Sequence, residues 1–379
     1  MKLLINESKI DWTSPQSHYF FNTRHPQALE FRKIAQQIPI LKKHIYLYTS
    51  SYSKICLLSK KALLFSARLV NQNLQASSKD RWLICLPFFH VSGISILARV
   101  FLSRSSYFIQ EGAWNPYVFR KRIQEEKITL SSVVPTQIYD LVQKGLTAPK
   151  SLRVLLVGGD YLSPDIYKKA RELFWPLLIC YGATETCSQI ASSSLDSLKE
   201  NTFPKMKILP SIQVESVQKK KDGYGFLKVK SQALVSAYFD LEKRKIYDPK
   251  DKEACFVLKD FALLKENHLK IRTRFKEQIK ILGESVNLQK LRLKLKELSQ
   301  KQGIESFLLS IPDKRRGCCL SLLGFAGHFE KLSFLAKQFN QEVSGYEKIQ
   351  NLYLIFQTSQ YRFLKLKPEF FLEKLGLKK

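Results

Sequence analysis

The sequence lacks an apolar run long enough to cross a lipid bilayer, although 45% of its 379 residues are hydrophobic. A membrane-spanning helix needs about 20 consecutive, mainly apolar residues, so we expect no membrane span. Residues 1–12 carry charged side chains and lack the apolar core that defines a secretory signal. The composition therefore predicts a globular chain.

Cysteines are few, and none has the spacing of a metal site. The seven cysteines are scattered, and the adjacent pair Cys318 and Cys319 cannot easily face one metal ion together. An odd, unpatterned set of cysteines is typical of reduced thiols, which favours a cytoplasmic protein over a secreted one.

Acidic residues are scarce, with 33 Asp and Glu against 62 Lys and Arg and a net charge of +29. A strongly basic chain is compatible with a nucleic-acid partner or with smaller anionic ligands, and a lysine-rich proteome explains the charge equally well. The basic residues are spread along the whole chain, without an RNA-module aromatic motif or a single basic tail. We therefore expect no nucleic-acid partner, and anionic small molecules remain open as ligands.

Periodicity divides the chain into segments of different character. Up to about residue 200, apolar runs of strand length alternate with amphipathic helices, which predicts a parallel α/β arrangement. Short alternating strands follow, separated by charged loops, and predict an antiparallel subdomain. Residues 289–379 read as helix, strand, strand, helix, strand. The fold class is therefore α/β, with a large N-terminal domain of mostly parallel sheets with helices plus a small antiparallel subdomain, and a small α+β C-terminal domain.

Capping residues mark the starts of several predicted helices. Ser59, Asn115 and Ser163 are predicted N-caps, and the last two precede a first-turn proline. The predicted helices are 26–37, 60–75, 115–124, 137–144 and one from Ser163 with Ile166, Ala170 and Phe174 on its buried face. The predicted strands are 44–48, one ending at Pro87, 129–134, 152–157, 177–181, 212–217, 225–230 and 255–258.

The stretch 181–189 is the strongest candidate for a site. Gly182 is expected to end the strand 177–181, and Thr184 and Glu185 follow at its carboxyl end. In open α/β sheets ligands bind at the carboxyl ends of strands. Thr184 can donate a hydrogen bond to a phosphate, and Glu185 can hold Mg²⁺. A polar turn with an exposed glutamate would explain the same residues without any function.

Two further turns accompany this stretch. A right-handed strand–helix–strand crossover places Gly158-Gly159 on the same sheet edge as Gly182 to Glu185. The strand 44–48 leads into hydroxyl residues and then Lys54, which is the layout of a phosphate-binding loop. This loop contains no glycine, although glycine lets backbone N–H groups approach phosphate closely. An ordinary turn is about equally compatible with the loop.

The residues of these motifs resemble the signatures of one superfamily. Tyr181-Gly182-x-Thr184-Glu185 is similar to a signature of the adenylate-forming enzymes, which include acyl-CoA synthetases and the adenylation domains of peptide synthetases. The Leu-Pro-x-Phe-His-Val-x-Gly motif around His90 belongs to the same set. The strings 132–137 (Ser-x-Val-Pro-Thr-Gln) and 184–189 (Thr-Glu-Thr-Cys-Ser-Gln) resemble one branch, the o-succinylbenzoate–CoA ligases of menaquinone biosynthesis.

The resemblance implies roles for individual residues. The catalytic set is Glu185, Thr184, Lys54 and Arg362, with Glu185 also as the metal ligand. The ATP- and AMP-binding set is Thr49, Ser50, Gly158, Gly159, Tyr181, Gly182, Asp260 and Arg274. The acyl-substrate set is His90, Gly182 and Ser188, and Lys276 is the hinge.

The resemblance also implies an activity and its ligands. It predicts an AMP-forming ligase that uses ATP, Mg²⁺ and coenzyme A to activate a carboxylic acid, with o-succinylbenzoate as the first choice. Residues 1–275 would form an adenylation domain with a shortened N-terminus, and 276–379 a small mobile domain. Two alternatives stay open: a ligase for another acid, and a degenerate nucleotide- or partner-binding relative. Arg362 stands where the family has its catalytic lysine, which favours the second alternative.

Overall fold

The computed structural model describes residues 4–5, 9–23, 27–48, 54–200, 202–220, 222–272 and 278–355. The chain divides into two compact units. The larger consists of residues 1–23 and 29–275, and the smaller of residues 24–28 and 276–379.

The first part of the chain alternates strands and helices. In chain order up to residue 183 the elements are β1 (Leu4–Ile5), β2 (His18–Phe20), α1 (Ala28–Gln37), β3 (His44–Tyr48), β4 (Lys54–Ser59), α2 (Lys60–Leu74), β5 (Arg81–Ile84), α3 (Val91–Ser103), β6 (Ser106–Ile109), α4 (Pro116–Glu125), β7 (Leu130–Val133), α5 (Pro135–Gln143), β8 (Val154–Val157), α6 (Pro164–Glu172) and β9 (Leu177–Ala183). Strands alone follow, apart from short 3-10 turns: β10 (Ser188–Ser192), β11 (Met206–Ile208), β12 (Gln213–Val217), β13 (Gly225–Lys230), β14 (Ala237–Asp240), β15 (Lys245–Tyr247), β16 (Phe256–Lys265) and β17 (His268–Arg272).

An 11-stranded sheet carries the larger unit, in the order β12-β13-β16-β17-β11-β10-β9-β8-β7-β5-β6. The strands from β6 to β9 are parallel, as the strand–helix pattern predicts. From β9 to β12 every neighbouring pair is antiparallel. The predicted antiparallel strands therefore exist, and they continue the parallel sheet.

A second sheet of six strands has the order β1-β2-β3-β4-β14-β15. It contains a strand that the sequence analysis did not predict, directly after the loop that leads to Lys54. Residues 54–59 form β4, which lies antiparallel to β3 on one side and to β14 on the other. Lys54 is therefore the first residue of a strand in the middle of this sheet.

Local signals set the starts of α2, α4 and α6 as predicted, whereas α5 begins at Pro135, two residues before its predicted start. The Ser59 hydroxyl accepts a hydrogen bond from the Ala62 backbone at 3.1 Å, and the Asn115 side chain accepts from the first turn of α4. Ser163 caps α6 in the same way. The predicted burial of Phe174 was wrong: α6 ends at Glu172, and Phe174 has a φ of 65° and is 74% exposed.

Helices cover both faces of the parallel strands. Along β5, Trp82 and Ile84 pack in one buried cluster with α2 and α3, whereas Leu83 packs in another with α4, α5 and α6. This alternation follows from the two-residue period of a strand. Burial on both faces fixes the register of the strands, and therefore the positions of the turns at their ends.

The smaller unit has its own sheets and core. It contains β18 (Gln278–Ile281), β19 (Glu284–Asn287), α7 (Leu288–Lys301), β20 (Ser306–Asp313), β21 (Gly317–Phe325), α8 (Phe329–Gln341) and β22 (Ile349–Ile355). From α7 onward this is the predicted succession of helix, strand, strand, helix and strand. Among the described residues of the whole chain, no helix is long and apolar enough to cross a membrane.

His18 makes stability depend on pH. It lies in β2 with 1% exposure, and neither ring nitrogen has a hydrogen-bond partner among the described residues. Burial, and to a lesser degree Lys60, lowers the pKa of His18 to about 4, below its ordinary 6.5. The unfolded chain therefore takes up a proton more readily, so stability is complete above pH 6.5 and falls as the pH drops towards 4. We expect the free energy of unfolding to fall by about 2 kcal/mol more between pH 7 and 5 in the natural chain than in His18→Phe.

Urea unfolding of both full-length proteins at the two pH values measures this difference. Equal pH dependence in the two proteins would contradict the assignment to His18.

Candidate functional site

Four turns meet at one edge of the parallel strands, because parallel strands end on the same side. His90 follows β5 as the N-cap residue of α3, and Pro135 opens α5 directly after β7. Gly158 and Gly159 follow β8, and Thr184 and Glu185 follow β9. This edge is where α/β sheets bind ligands.

The acidic turn lies in a hairpin. β9 runs on through Ala183, so Gly182 lies within the strand and does not end it, contrary to expectation. The Thr184–Thr186 3-10 turn then leads into antiparallel β10, where Gln189 pairs with Gly182. A Cβ on Gly182 would lie 1.8 Å from the Ser188 carbonyl oxygen, so only glycine fits. Ser188 itself has a φ of 99°, which is rare for a residue with a side chain.

Hydrogen bonds within the hairpin hold this backbone. The Thr186 hydroxyl donates to the Ser188 carbonyl at 2.8 Å and accepts from the Ala183 N–H at 3.0 Å. Thr186 is fully buried. The turn that carries Thr184 and Glu185 is therefore fixed from inside.

Contacts through β9 connect the predicted nucleotide-binding residues. A Cβ on Gly158 would come within 2.7 Å of the Cys180 sulfur, so the Gly158-Gly159 turn lies against the residue before Tyr181. The Tyr181 hydroxyl donates to Asp260 Oδ2 at 2.7 Å. Asp260 is only 6% exposed. The structure thus brings the glycine turn, β9 and Asp260 into one continuous arrangement.

Glu185 is half-buried and is held through both its side chain and its backbone. The Tyr238 hydroxyl donates to Glu185 Oε1 at 2.8 Å, and the Val235 N–H donates to the Glu185 carbonyl oxygen at 2.7 Å. Within the described residues no cation pairs with this carboxylate. Burial first, and then the Glu185 charge, raises the pKa of Tyr238, which stays a hydrogen-bond donor.

The Lys54 side chain, at the start of β4, lies near the Tyr238 ring. Its Nζ lies 5.0 Å from the centroid of the Tyr238 ring and 5.3 Å from that of Tyr247. Cation–π contacts of this kind hold an ammonium group in place. Lys54 therefore lies beside the tyrosine that contacts Glu185, at the start of a strand.

Arg99 is a residue that the sequence analysis missed. It is 2% exposed in α3, nine residues after His90, and its Nη2 donates to the Ser188 hydroxyl at 3.1 Å. Its Nε has no hydrogen-bond partner in the described part of the chain. Burial lowers the pKa of Arg99 to about 10, so it is cationic at neutral pH. A single charge inside the apolar helix sequence VSGISILARVFLS was the available signal.

Some predicted residues lie outside the described residues. These are Thr49, Ser50, Arg274, Lys276 and Arg362. The structure therefore brings together Gly158, Gly159, Tyr181, Gly182, Thr184, Glu185, Ser188 and Asp260, with Lys54 beside them and His90 on the same sheet edge.

A second acidic cluster is a weaker metal candidate than Glu185. Ligand atoms of Asp251, Glu253 and Cys255 lie within 4.8 Å of one another. Lys228 forms ion pairs with both carboxylates, at 3.1 Å from Asp251. The lysine already compensates the charge that would attract a cation.

Comparison with known proteins identifies the class of this fold and site. Residues 46–238, just over half of the chain, match the family model of the AMP-binding enzymes. The chain belongs to the AMP-binding enzyme family.

The chain is also similar to curated proteins that share one name. The chain is 31% identical over 167 residues to the 2-succinylbenzoate–CoA ligase of Lactococcus lactis subsp. lactis, covering 44% of this chain and 36% of the relative. It is 30% identical over 224 residues to the enzyme of the same name from Staphylococcus epidermidis, covering 59% of this chain and 47% of the relative. The chain thus spans about half, or less, of the length of these curated relatives.

Solved structures establish the fold. The o-succinylbenzoate CoA synthetase of Bacillus subtilis, bound with a product analogue, superimposes with a TM-score of 0.70 at 20% identity, covering 93% of this chain and 77% of that one. A malonyl-CoA ligase superimposes with a TM-score of 0.69 at 18% identity, covering 83% and 71%. The adenylate-forming fold expected from the motifs is confirmed.

Proposed function

We propose that the chain is an AMP-forming ligase that activates o-succinylbenzoate with ATP and transfers the acyl group to coenzyme A. Residues 1–275 act as the adenylation domain and 276–379 as the small mobile domain, with Lys276 as hinge and Arg274 and Arg362 on the nucleotide. The seven cysteines, all free, support a cytoplasmic location.

Arg99 is the observation that carries the choice of acid. A buried guanidinium with an unpartnered Nε is costly unless an anion pairs with it. Its contact, Ser188, belongs to the predicted acyl-substrate set and lies across the hairpin from Ala183. o-Succinylbenzoate has two carboxylates, so one can react at the nucleotide while the other pairs with Arg99. The names of the curated relatives point to the same acid.

The oxygen atoms at the acidic turn are suitable ligands for Mg²⁺. This ion prefers oxygen ligands and uses one or two carboxylates together with substrate phosphates. The half-buried Glu185 carboxylate, with one hydrogen bond and no cation among the described residues, fits that requirement. Glu185, with Thr184 beside it, would hold the ion, which would neutralise phosphate charge when bound.

Positioning is the main task of the protein in the first step. A carboxylate oxygen of the acid attacks the α-phosphorus of ATP, and the bond to pyrophosphate breaks. The acid is already ionised at neutral pH, so no strong base is needed and the protein aligns and stabilises charge. Asp260 accepts the ribose hydroxyls, while Lys54 and the hydroxyl of Thr184 face phosphate oxygens.

In the second step the sulfur of coenzyme A attacks the acyl carbon. The thiol loses its proton, the bond to the adenylate oxygen breaks, and AMP leaves. The mixed anhydride needs protection from water until then. The half-buried His90 and the buried Ser188 supply walls on the acyl side.

Pyrophosphate exchange into ATP tests the proposal. We expect exchange with o-succinylbenzoate, and much less with β-benzoylpropionate, which is the same acid without the ring carboxylate. Formation of the acyl-CoA after coenzyme A is added tests the second step. Equal exchange with both acids would point to a ligase for another acid, and no exchange with any acid would point to a degenerate relative.

A further inference from the structure

The segment 235–238 holds the acidic turn at two points. Val235 N–H donates to the Glu185 carbonyl, and Tyr238 Oη donates to the Glu185 carboxylate. The segment is itself fixed, because the Ser236 N–H donates to the Leu57 carbonyl of β4 at 2.9 Å. Lys250 Nζ adds a bond to the Val235 carbonyl at 2.9 Å. Backbone and side chain of Glu185 are thus both set by one anchored piece of chain.

Tyr238 has little freedom to move. It is 6% exposed, its strand pairs Tyr238 with Cys56 of β4, and its ring packs near Tyr247 and Phe256. Lys54 lies over the ring. Its hydroxyl is therefore a fixed donor, and it occupies Oε1 of Glu185 while leaving Oε2 without a partner among the described residues.

We propose that Tyr238 is a positioning residue that fixes the Glu185 carboxylate so that one oxygen binds the metal of the nucleotide complex. This rests on the proposed function, because it assigns Glu185 to the metal. Hydrogen bonds to metal-binding carboxylates orient them, and their loss typically weakens metal binding about 10- to 100-fold. A buried hydroxyl makes a stronger restraint than water, because it cannot turn with the carboxylate.

The test is Tyr238→Phe, which removes only the hydroxyl. Mn²⁺ replaces Mg²⁺ as the probe, and its binding to the full-length protein with ATP is measured by electron paramagnetic resonance without any acid. We expect Mn²⁺ affinity to fall about 10- to 100-fold with little change in the thermal midpoint. Tyr167→Phe is the matched control, because its buried hydroxyl has no hydrogen-bond partner in the described part of the chain.

A double variant separates positioning from general damage. In a Glu185→Gln background, Tyr238→Phe is expected to have little further effect on Mn²⁺ binding, because both changes act on one contact. A full, additive loss in that background would overturn the proposal, as would unchanged Mn²⁺ affinity in Tyr238→Phe alone.

The proposed function can fail separately. If the natural chain binds Mn²⁺ with ATP and Tyr238→Phe weakens that binding, the positioning role stands even where o-succinylbenzoate supports no exchange. If exchange occurs but Tyr238→Phe binds Mn²⁺ normally, the positioning role is lost and the ligase remains.

Discussion

Glu185→Gln is expected to lower the rate of pyrophosphate exchange by about 10²- to 10³-fold, or about 3–4 kcal/mol of transition-state stabilisation. The amide keeps an oxygen for the Tyr238 hydroxyl, so the hairpin should stay folded. What is lost is the negative charge that attracts the metal ion. The measurement is exchange at saturating o-succinylbenzoate over a range of Mg²⁺ concentrations, and higher Mg²⁺ should recover part of the rate.

Glu172→Gln is the control for that experiment, because Glu172 is an exposed residue of α6. It changes the net charge by the same amount and should leave exchange unaltered. An equal rate for Glu185→Gln and the natural chain would remove Glu185 from the reaction.

Helix starts were predictable because the signals are local. Ser59, Asn115 and Ser163 each bond to N–H groups two or three residues ahead, and a capping side chain acts only over that distance. β4 was not predictable in this way. It is a strand because it pairs with β3 and with β14, and β14 lies about 180 residues further along the chain.

In the site too, features that depend on neighbouring elements were predictable, whereas contacts between distant residues were not. The crossover rule placed Gly158-Gly159 and the acidic turn on one sheet edge, since it depends only on the order of neighbouring elements. The bonds from Tyr181 to Asp260 and from Tyr238 to Glu185 join residues 79 and 53 positions apart. No periodicity or spacing signals such pairs, so the groups that orient the two carboxylates emerged only from the fold.

Arg99→Met is expected to raise the KM for o-succinylbenzoate about 30- to 1,000-fold, which corresponds to roughly 2–4 kcal/mol. Methionine fills a similar volume but cannot pair with a carboxylate. The folded protein should be no less stable, because the change removes a buried charge whose Nε has no hydrogen-bond partner among the described residues. Initial exchange rates over a range of acid concentrations, together with the thermal midpoint, provide the measurement.

The decisive comparison for Arg99 is between two acids. When β-benzoylpropionate binds to the natural chain, it supplies no carboxylate to pair with the buried Arg99. In Arg99→Met the same part of this acid packs against an apolar side chain. The variant should therefore bind o-succinylbenzoate worse and β-benzoylpropionate as well or better, because a site built for a polar group rejects an analogue that lacks its partner. Arg99→Lys keeps the charge but loses the planar guanidinium that pairs with a carboxylate. Its preference for o-succinylbenzoate over β-benzoylpropionate should therefore lie between those of the natural chain and Arg99→Met. A uniform loss for both acids would mean that Arg99 supports the hairpin through Ser188 and does not select the substrate.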